Sequence, residues 1–339
     1  MEHTQTQDSA QNRDFTRVTF ADVDADKAYA AAKRLVDEIE TVIVGKHHEV
    51  LLLVTALLAG GHVLIEDVPG VGKTTLAATL AKAAGLDFRR AQFTPDVTAS
   101  DITGFNLYNR QSESFQFTPG LVMTNIFLAD EINRASPKTQ SALLEAMEED
   151  RVTVDGKTYN IPEPFMVIAT QNPSGFVGTY PLPEAQLDRF SLKLSMGYPT
   201  LDEEVKIVES RKERTPAESV KPVVGVQLVR FLRALTADVH IDYELYKYLV
   251  SLVAATRTHS AVALGASPRA SLALKRLVQA YAFMHSRNYV VPDDISEVFK
   301  VSVGHRLILK QEARLRQISC DDVIAEVLRE VPAPFRRQR

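Results

Sequence analysis

The stretch HVLIEDVPGVGKTT, residues 62–75, decides the fold that this sequence encodes. It starts with an apolar run, continues through a short loop with two glycines, and ends in helix-forming residues. A strand, a tight loop and a helix start are the setting that a phosphate-binding loop requires. Gly70 and Gly72 let backbone amides curl around phosphate oxygens, and the helix points its positive end at them. The stretch therefore predicts a nucleotide-phosphate site.

The side chains of this loop have separate predicted roles in holding ATP. Lys73 would neutralise the β and γ phosphates, and the Thr74 hydroxyl would bind Mg²⁺. The residues expected to contact the nucleotide are Pro69, Gly70, Val71, Gly72, Lys73, Thr74 and Thr75. Asp67 takes the place of the first glycine of the GxxxxGKT pattern. Because Asp tolerates left-handed backbone angles better than most residues, we expect the loop still to form.

A second apolar run, NIFLADE at residues 125–131, ends in two acids. Successive side chains of a strand point to opposite faces, so the two carboxylates can take different tasks. Asp130 would hold the magnesium through water, and Glu131 would polarise the attacking water. Alone, such a strand end also fits a solvated loop start. Together with the phosphate loop it predicts ATP hydrolysis.

Composition limits the classes of function. The 339 residues suggest two domains, and the net charge of −4 gives no general attraction to nucleic acid. The single Cys320 can form neither an internal disulfide nor a zinc cluster, which indicates a reducing, cytoplasmic compartment. The longest apolar stretch, residues 50–59, is far shorter than the roughly 20 residues that span a bilayer. We therefore expect no membrane insertion.

The order of apolar runs predicts the architecture. Residues 1–25 are polar and are predicted to form a flexible tail. In residues 26–200, five apolar runs alternate with helical stretches, which predicts an α/β domain with a mostly parallel sheet covered by helices. The five runs are His62–Ile65, Phe88–Phe93, Ile126–Ala129, Phe165–Thr170 and Ser191–Ser195.

Two further features complete the predicted organisation. Hairpins are expected near residues 101–123 and 151–161, either as insertions presented at the surface or as ordinary connections. Strand signals stop after Pro199, so residues 201–339 are predicted to form a separate, all-α domain. Its expected helices span about Gly225–Thr236, Tyr243–Thr256, Pro268–Arg287, Pro292–Val301 and Cys320–Arg329.

Between about Val44 and Arg276 the sequence resembles the MoxR family of AAA+ ATPases. The matching segments are LIEDVPGVGKT (64–74), QFTPD (92–96), DITG (101–104), DEINR (130–134), ATQNP (169–173), LPEAQLDRF (182–190) and GASPR (265–269). The resemblance implies a five-stranded sheet domain and a small helical lid. It also implies a ring, usually of six subunits, with ATP held between neighbours.

The resemblance also implies roles for single residues. Asn172 matches sensor 1, which helps to position the lytic water, although Asn before Pro is also a turn former. Arg189 matches the arginine finger that reaches the γ-phosphate in the adjoining subunit. A surface salt bridge of Arg189 with Asp188 or Glu184 is the alternative, and Arg134 is a rival for the role across the interface.

Two more positions follow from the same resemblance. Arg269 matches sensor 2 of the lid. Its place after Ser267 and Pro268, at a helix start, sets a cation against the helix dipole, which is reasonable if an anion lies nearby. Val44 and Gly45 would lie near the adenine, although a helix-capping glycine is the simpler interpretation.

Family resemblance favours a chaperone-like remodeller that matures protein complexes or inserts a cofactor or metal, often with a partner that carries a von Willebrand factor A domain. A DNA-acting motor is an alternative, but the two hairpin segments offer only Arg110, Arg151 and Lys157 as cations. A metal-chelatase subunit is a neighbour in fold. A nucleotide-gated scaffold without turnover is disfavoured by the intact Glu131.

Overall fold

The structure is a computed structural model, and it describes residues 19–20, 23–171, 180, 182–210 and 216–334. Most of the predicted tail and the predicted sensor Asn172 lie outside the described residues. None of the described helices is both long enough and apolar enough to cross a membrane.

Helices and strands alternate through the first two thirds of the chain. The strands are β1 (Val63–Glu66), β2 (Phe88–Gln92), β3 (Gly104–Asn109), β4 (Ser114–Pro119), β5 (Ile126–Asp130), β6 (Arg151–Val154), β7 (Lys157–Asn160), β8 (Met166–Gln171), β9 (Leu192–Leu194), β10 (Val262–Leu264) and β11 (Ile308–Leu309). The helices are α1 (Ala25–Glu40), α2 (His47–Leu58), α3 (Lys73–Ala83), α4 (Ala99–Thr103), α5 (Pro137–Glu149), α6 (Glu184–Leu187), α7 (Leu201–Ser210), α8 (Val226–Ala237), α9 (Tyr243–Thr258), α10 (Pro268–Met284), α11 (Pro292–Val303), α12 (Gln311–Leu315) and α13 (Cys320–Glu330).

A five-stranded parallel sheet in the order β2-β5-β8-β1-β9 forms the centre of the molecule. Its middle strands are apolar on both faces because helices cover both sides. In β1, Ile65 belongs to the core on one side of the sheet and Leu64 to the core on the other. In β5, Leu128 lies in the same core as Ile65, and Phe127 lies in the same core as Leu64. The predicted sheet, assembled from the five predicted runs, is confirmed.

Two antiparallel hairpins, β3–β4 and β6–β7, lie beside this sheet. The second is closed by Asp155 and Gly156, whose φ angles of 48° and 78° are those of the tight turn that strands of this twist prefer. The rings of Phe117 and Tyr159 stack with centroids 3.8 Å apart and join the two hairpins. Asn106 Nδ2 donates a hydrogen bond of 2.7 Å to Asp155 Oδ2 across the same contact.

The C-terminal part is helical, as predicted, and α10 and α11 pack at its centre. The expectation that strands end at Pro199 is wrong. Strands β10 and β11 pair as a small antiparallel sheet. Their three and two residues are too short to produce the alternation by which a strand is recognised in sequence.

Candidate nucleotide site

The loop between β1 and α3 has the backbone that phosphate binding requires. Gly70 and Gly72 have φ angles of 90° and 93°, and among the described residues no atom beyond the two chain neighbours lies within 4 Å of a Cβ built on either. The left-handed backbone, rather than lack of room, therefore explains these glycines. Helix α3 begins at Lys73, so residues 69–75 form the loop and the first helical turn. Their amides face the site with the positive end of the helix dipole.

Asp67 supports the loop in a way that differs from the sequence argument. The φ angle of Asp67 is not positive, so the tolerance of Asp for left-handed backbone angles plays no part here. Its buried carboxylate instead accepts hydrogen bonds from the backbone amides of Val68, Met196 and Gly197 at 2.9, 2.5 and 2.8 Å. Asp67 thus ties the phosphate loop to the turn that follows β9.

Lys73 is held inside the loop. Its Nζ donates to the carbonyl oxygens of Asp67 and Val68 at 2.7 and 3.3 Å. Burial lowers the pKa of Lys73, while the charges of Asp67, Asp130 and Glu131 act in the opposite direction. The ammonium is therefore surrounded by acids and carbonyls that hold it beside the place where phosphate oxygens would lie.

Asp130 lies at the end of β5 and is bound by groups from three other elements. Thr170 Oγ1 donates to its Oδ1 at 2.6 Å, and Arg90 Nη2 lies 2.8 Å from its Oδ2. Thr74 Oγ1 is 3.4 Å from the same Oδ2. A hydroxyl and a carboxylate at this separation are the oxygen donors that Mg²⁺ prefers beside nucleotide phosphates, so Thr74 and Asp130 fit the predicted metal role.

Glu131 follows directly and turns away from the strand. Its φ of 56° is left-handed, and its backbone amide donates to Thr170 Oγ1 at 2.9 Å. Its Oε2 lies 3.0 Å from Arg134 Nε. Arg134 therefore contacts the acid of its own site in the described conformation.

Sequence reasoning missed two of these groups. Thr170 ends the run Phe165–Thr170, and its position in the ATQNP segment was the available signal. Arg90 lies on β2, which was recognised only as a strand. Strand β2 lies beside β5 in the sheet, with Gln92 opposite Asp130. The side chain of Arg90, two residues before Gln92, therefore reaches the Asp130 carboxylate.

The predicted adenine side lies near the same loop. Gly45 has a φ of 74°, and a Cβ there would overlap the side chain of Glu203. Gly45 is not a helix cap, because α1 is capped by Thr41 and α2 by Lys46. Lys46 Nζ lies 3.4 Å from the carbonyl oxygen of Tyr198, next to the turn that Asp67 binds.

The two remaining predicted arginines meet at one acid. Glu148, near the end of α5, binds Arg189 through Oε2 at 3.0 Å and Arg269 through Oε1 in a very short contact. The alternative to the arginine-finger role is a surface salt bridge of Arg189 with Asp188 or Glu184. The ion pair observed for Arg189 is with Glu148, and the side chain of Glu184 lies outside the described residues.

This arginine pair lies near the N-terminal ends of β1 and β9, and the phosphate loop lies at the opposite, C-terminal end of β1. His62, the residue before β1, accepts Ser191 N at its carbonyl oxygen at 2.8 Å, and its ring Nε2 lies 2.9 Å from the carbonyl oxygen of Met147. The phosphate loop follows the far end of β1, about 13 Å away for a four-residue strand. Arg189 and Arg269 therefore lie far from the phosphate loop of their own chain.

Comparison with known proteins agrees with this geometry. Residues 62–192 match the model of the ATPase family associated with various cellular activities (AAA), and residues 254–327 match the AAA lid domain. The uncharacterised protein YeaC of Bacillus subtilis is 49% identical over 90% of this chain and 95% of its own length. Chaperone MoxR1 of Mycobacterium tuberculosis is 42% identical over 89% of this chain and 82% of its own.

A solved structure extends the likeness to three dimensions. A protein from Cytophaga hutchinsonii, provisionally described as an ATPase, superimposes with a TM-score of 0.85 at 39% sequence identity. The match covers 92% of this chain and 97% of the other.

Proposed function

Since this chain belongs to the MoxR family of AAA+ ATPases, we propose that it binds ATP at the loop before α3 and hydrolyses the β,γ bond. The observation that carries the proposal is the convergence of four side chains: Lys73 and Thr74 on the loop, and Asp130 and Glu131 at the neighbouring strand end. Such a group around a helix start is what phosphoryl transfer to water requires.

The protein groups have distinct tasks in this reaction. The amides of residues 70–75 and the Lys73 ammonium bind the phosphates, which requires Lys73 to exchange its loop carbonyls for phosphate oxygens. Glu131 accepts a proton from the attacking water, so it must leave Arg134 and turn to the γ-phosphate. Thr74 and Asp130 would hold Mg²⁺, whose charge offsets that of the phosphates when it is bound.

A pair of lysines on α3 tests nucleotide binding. We expect Lys73→Ala to abolish ATP binding measured by isothermal titration calorimetry, because the phosphates lose their main cation. Lys82→Ala is the matched control: its Nζ contacts the Glu218 carbonyl on the exposed side of the same helix, and it should bind ATP as the wild type does. Equal ATP affinity in Lys73→Ala and wild type would contradict the proposal.

We also propose that the active form is a ring of copies of this chain, six by family resemblance. Residues 26–200 would be the ATP-binding domain and residues 201–339 the lid. Support comes from Arg189 and Arg269, which lie near the N-terminal ends of β1 and β9, away from the phosphate loop of their own chain, and so suit the nucleotide of the next subunit. The test is whether ATP turnover per subunit rises with protein concentration together with a ring-sized mass.

The work done with ATP is proposed to be chaperone-like remodelling of a protein complex in the cytoplasm, in maturation or in cofactor or metal insertion. The name of Chaperone MoxR1 supports the chaperone class, and the unpaired Cys320 suits a reducing compartment. Affinity purification of Glu131→Gln with ATP should trap the client, with a von Willebrand factor A domain protein as the expected partner. Recovery of the same proteins with Lys73→Ala would show that the capture does not depend on ATP.

A further inference from the structure

Glu148 is the only contact that joins Arg189 to Arg269 among the ion pairs of the described residues. Each carboxylate oxygen binds one guanidinium, so a single acid holds two cations side by side. All three side chains are partly exposed, at 35%, 26% and 48% of their surface for Glu148, Arg189 and Arg269. The cluster is therefore open at the molecular edge, where another molecule can reach it.

The backbone on both sides of this cluster is fixed by buried contacts. Arg306, almost fully buried, donates to the carbonyl oxygen of Phe190 at 2.7 Å and lies 3.1 Å from Asp188 Oδ1. Ser267, the cap of α10, donates to Asp188 Oδ2 at 2.7 Å. Asp188 thus locks the segment that carries Arg189 to the helix start that carries Arg269. Only the two arginine side chains remain to be oriented.

The cluster carries an excess of positive charge. Three guanidinium groups, from Arg189, Arg269 and Arg306, face two carboxylates, from Glu148 and Asp188. The Nε of Arg189 is buried and has no hydrogen-bond partner among the described residues. An incoming anion would neutralise the one net positive charge and accept a hydrogen bond from the Nε of Arg189.

We propose that Glu148 is a positioning residue, which holds Arg189 and Arg269 as a paired donor for the γ-phosphate of ATP bound by a neighbouring copy. This inference rests on the proposed ATP hydrolysis and deepens it. Without Glu148 the two like charges repel, and their side chains spread before the neighbour's phosphate arrives. Because Glu148 does not itself touch the nucleotide, its loss should lower the rate of hydrolysis and not the affinity for ATP.

The first arm of the test compares two neighbouring glutamates. Glu148→Gln keeps one acceptor oxygen and places an amide N–H₂ towards the other guanidinium, so it can hold only one arginine. We expect kcat to fall by about 10- to 100-fold, the order that a small misplacement of catalytic groups costs. Affinity for a non-hydrolysable ATP analogue should stay at the wild-type value. Glu149→Gln, whose partner is the exposed Arg151, is the control and should keep full turnover.

The second arm mixes subunits with complementary defects. Glu148→Gln has an intact phosphate loop, and Lys73→Ala has an intact arginine cluster. In randomly mixed rings, about a quarter of the interfaces pair an intact loop with an intact cluster, so activity should reappear. Full or raised turnover in Glu148→Gln, loss of analogue binding, or no recovery on mixing would each overturn the role of Glu148. Absence of turnover in the wild type would instead reject the ATPase proposal.

Discussion

A single hydroxyl, that of Thr170, contacts both acidic residues of the candidate site. It donates to the Asp130 carboxylate and accepts from the backbone amide of Glu131, so it orients the first carboxylate and fixes the backbone that carries the second. We expect Thr170→Val, which keeps the shape and removes the hydroxyl, to lower kcat by about 10- to 100-fold, as for other groups that orient metal ligands. Thr170→Ser should retain most activity. Steady-state phosphate release measures both, and wild-type turnover in the valine variant would contradict this role.

At the same scale, Asp67 replaces the usual glycine and gives the loop an anchor. Asp67→Gly should lower the free energy of unfolding by about 1–3 kcal/mol, because the amides of Met196 and Gly197 lose a charged acceptor. It should also weaken ATP binding. Asp67→Asn, which keeps an acceptor oxygen, should lose less stability. Urea unfolding compares the three proteins, and a glycine variant as stable as wild type would show that the anchor contributes nothing.

Among the elements, the two hairpins form one unit through Phe117 and Tyr159. We expect Tyr159→Ala to lower stability by about 0.5–1.5 kcal/mol beyond the lost burial, the range for an aromatic pair. Amide hydrogen exchange in β3 and β4 should become faster because β3–β4 loses its support. Tyr198→Ala, which removes an exposed tyrosine outside both hairpins, is the control. Unchanged exchange in the Tyr159 variant would mean that the hairpins are held independently.

The elements also show what the sequence could predict. The five sheet strands were recognisable because each is an apolar run buried on both faces, and the phosphate loop because strand, loop and helix lie within 14 residues. Glu148 could not be recognised, since it stands in a run of three acids that reads as a solvated helix end. Only the packing of α5 against the segment of Arg189 gives it partners. Arg90 could not be recognised either, because its contact with Asp130 depends on β2 lying beside β5 in the sheet.

The whole molecule should be sensitive to acid through its buried histidines. His62 accepts the amide of Val167 at Nδ1 and donates to Met147 through Nε2, and burial lowers its pKa from 6.5 to about 4. Because the folded state disfavours the charged form of His62, its titration does not reduce the free energy of unfolding above pH 6.5. The free energy of unfolding decreases as the pH falls from 6.5 towards 4. The slope should be up to about 1.4 kcal/mol per pH unit from His62 alone. Burial also lowers the pKa of His305, which adds in the same direction.

Urea unfolding at a series of pH values measures this slope. His62→Gln should be less stable at pH 7 and should show a shallower decline between pH 6.5 and 4. His48→Gln, at an exposed position of α2, is the control. An unchanged slope in the His62 variant would assign the acid sensitivity to other groups.

Also at the scale of the whole molecule, Asp130 and Glu131 lie at the C-terminal end of β5, whereas the paired arginines lie near the N-terminal ends of β1 and β9. This separation is the arrangement that the proposed ring requires, with each copy contributing to two different sites. All of this depends on hydrolysis at the loop before α3. The most direct test is phosphate release by Glu131→Gln alongside its ATP binding. We expect this variant to bind ATP with wild-type affinity and to release no phosphate. Phosphate release at the wild-type rate in this variant would contradict this expectation.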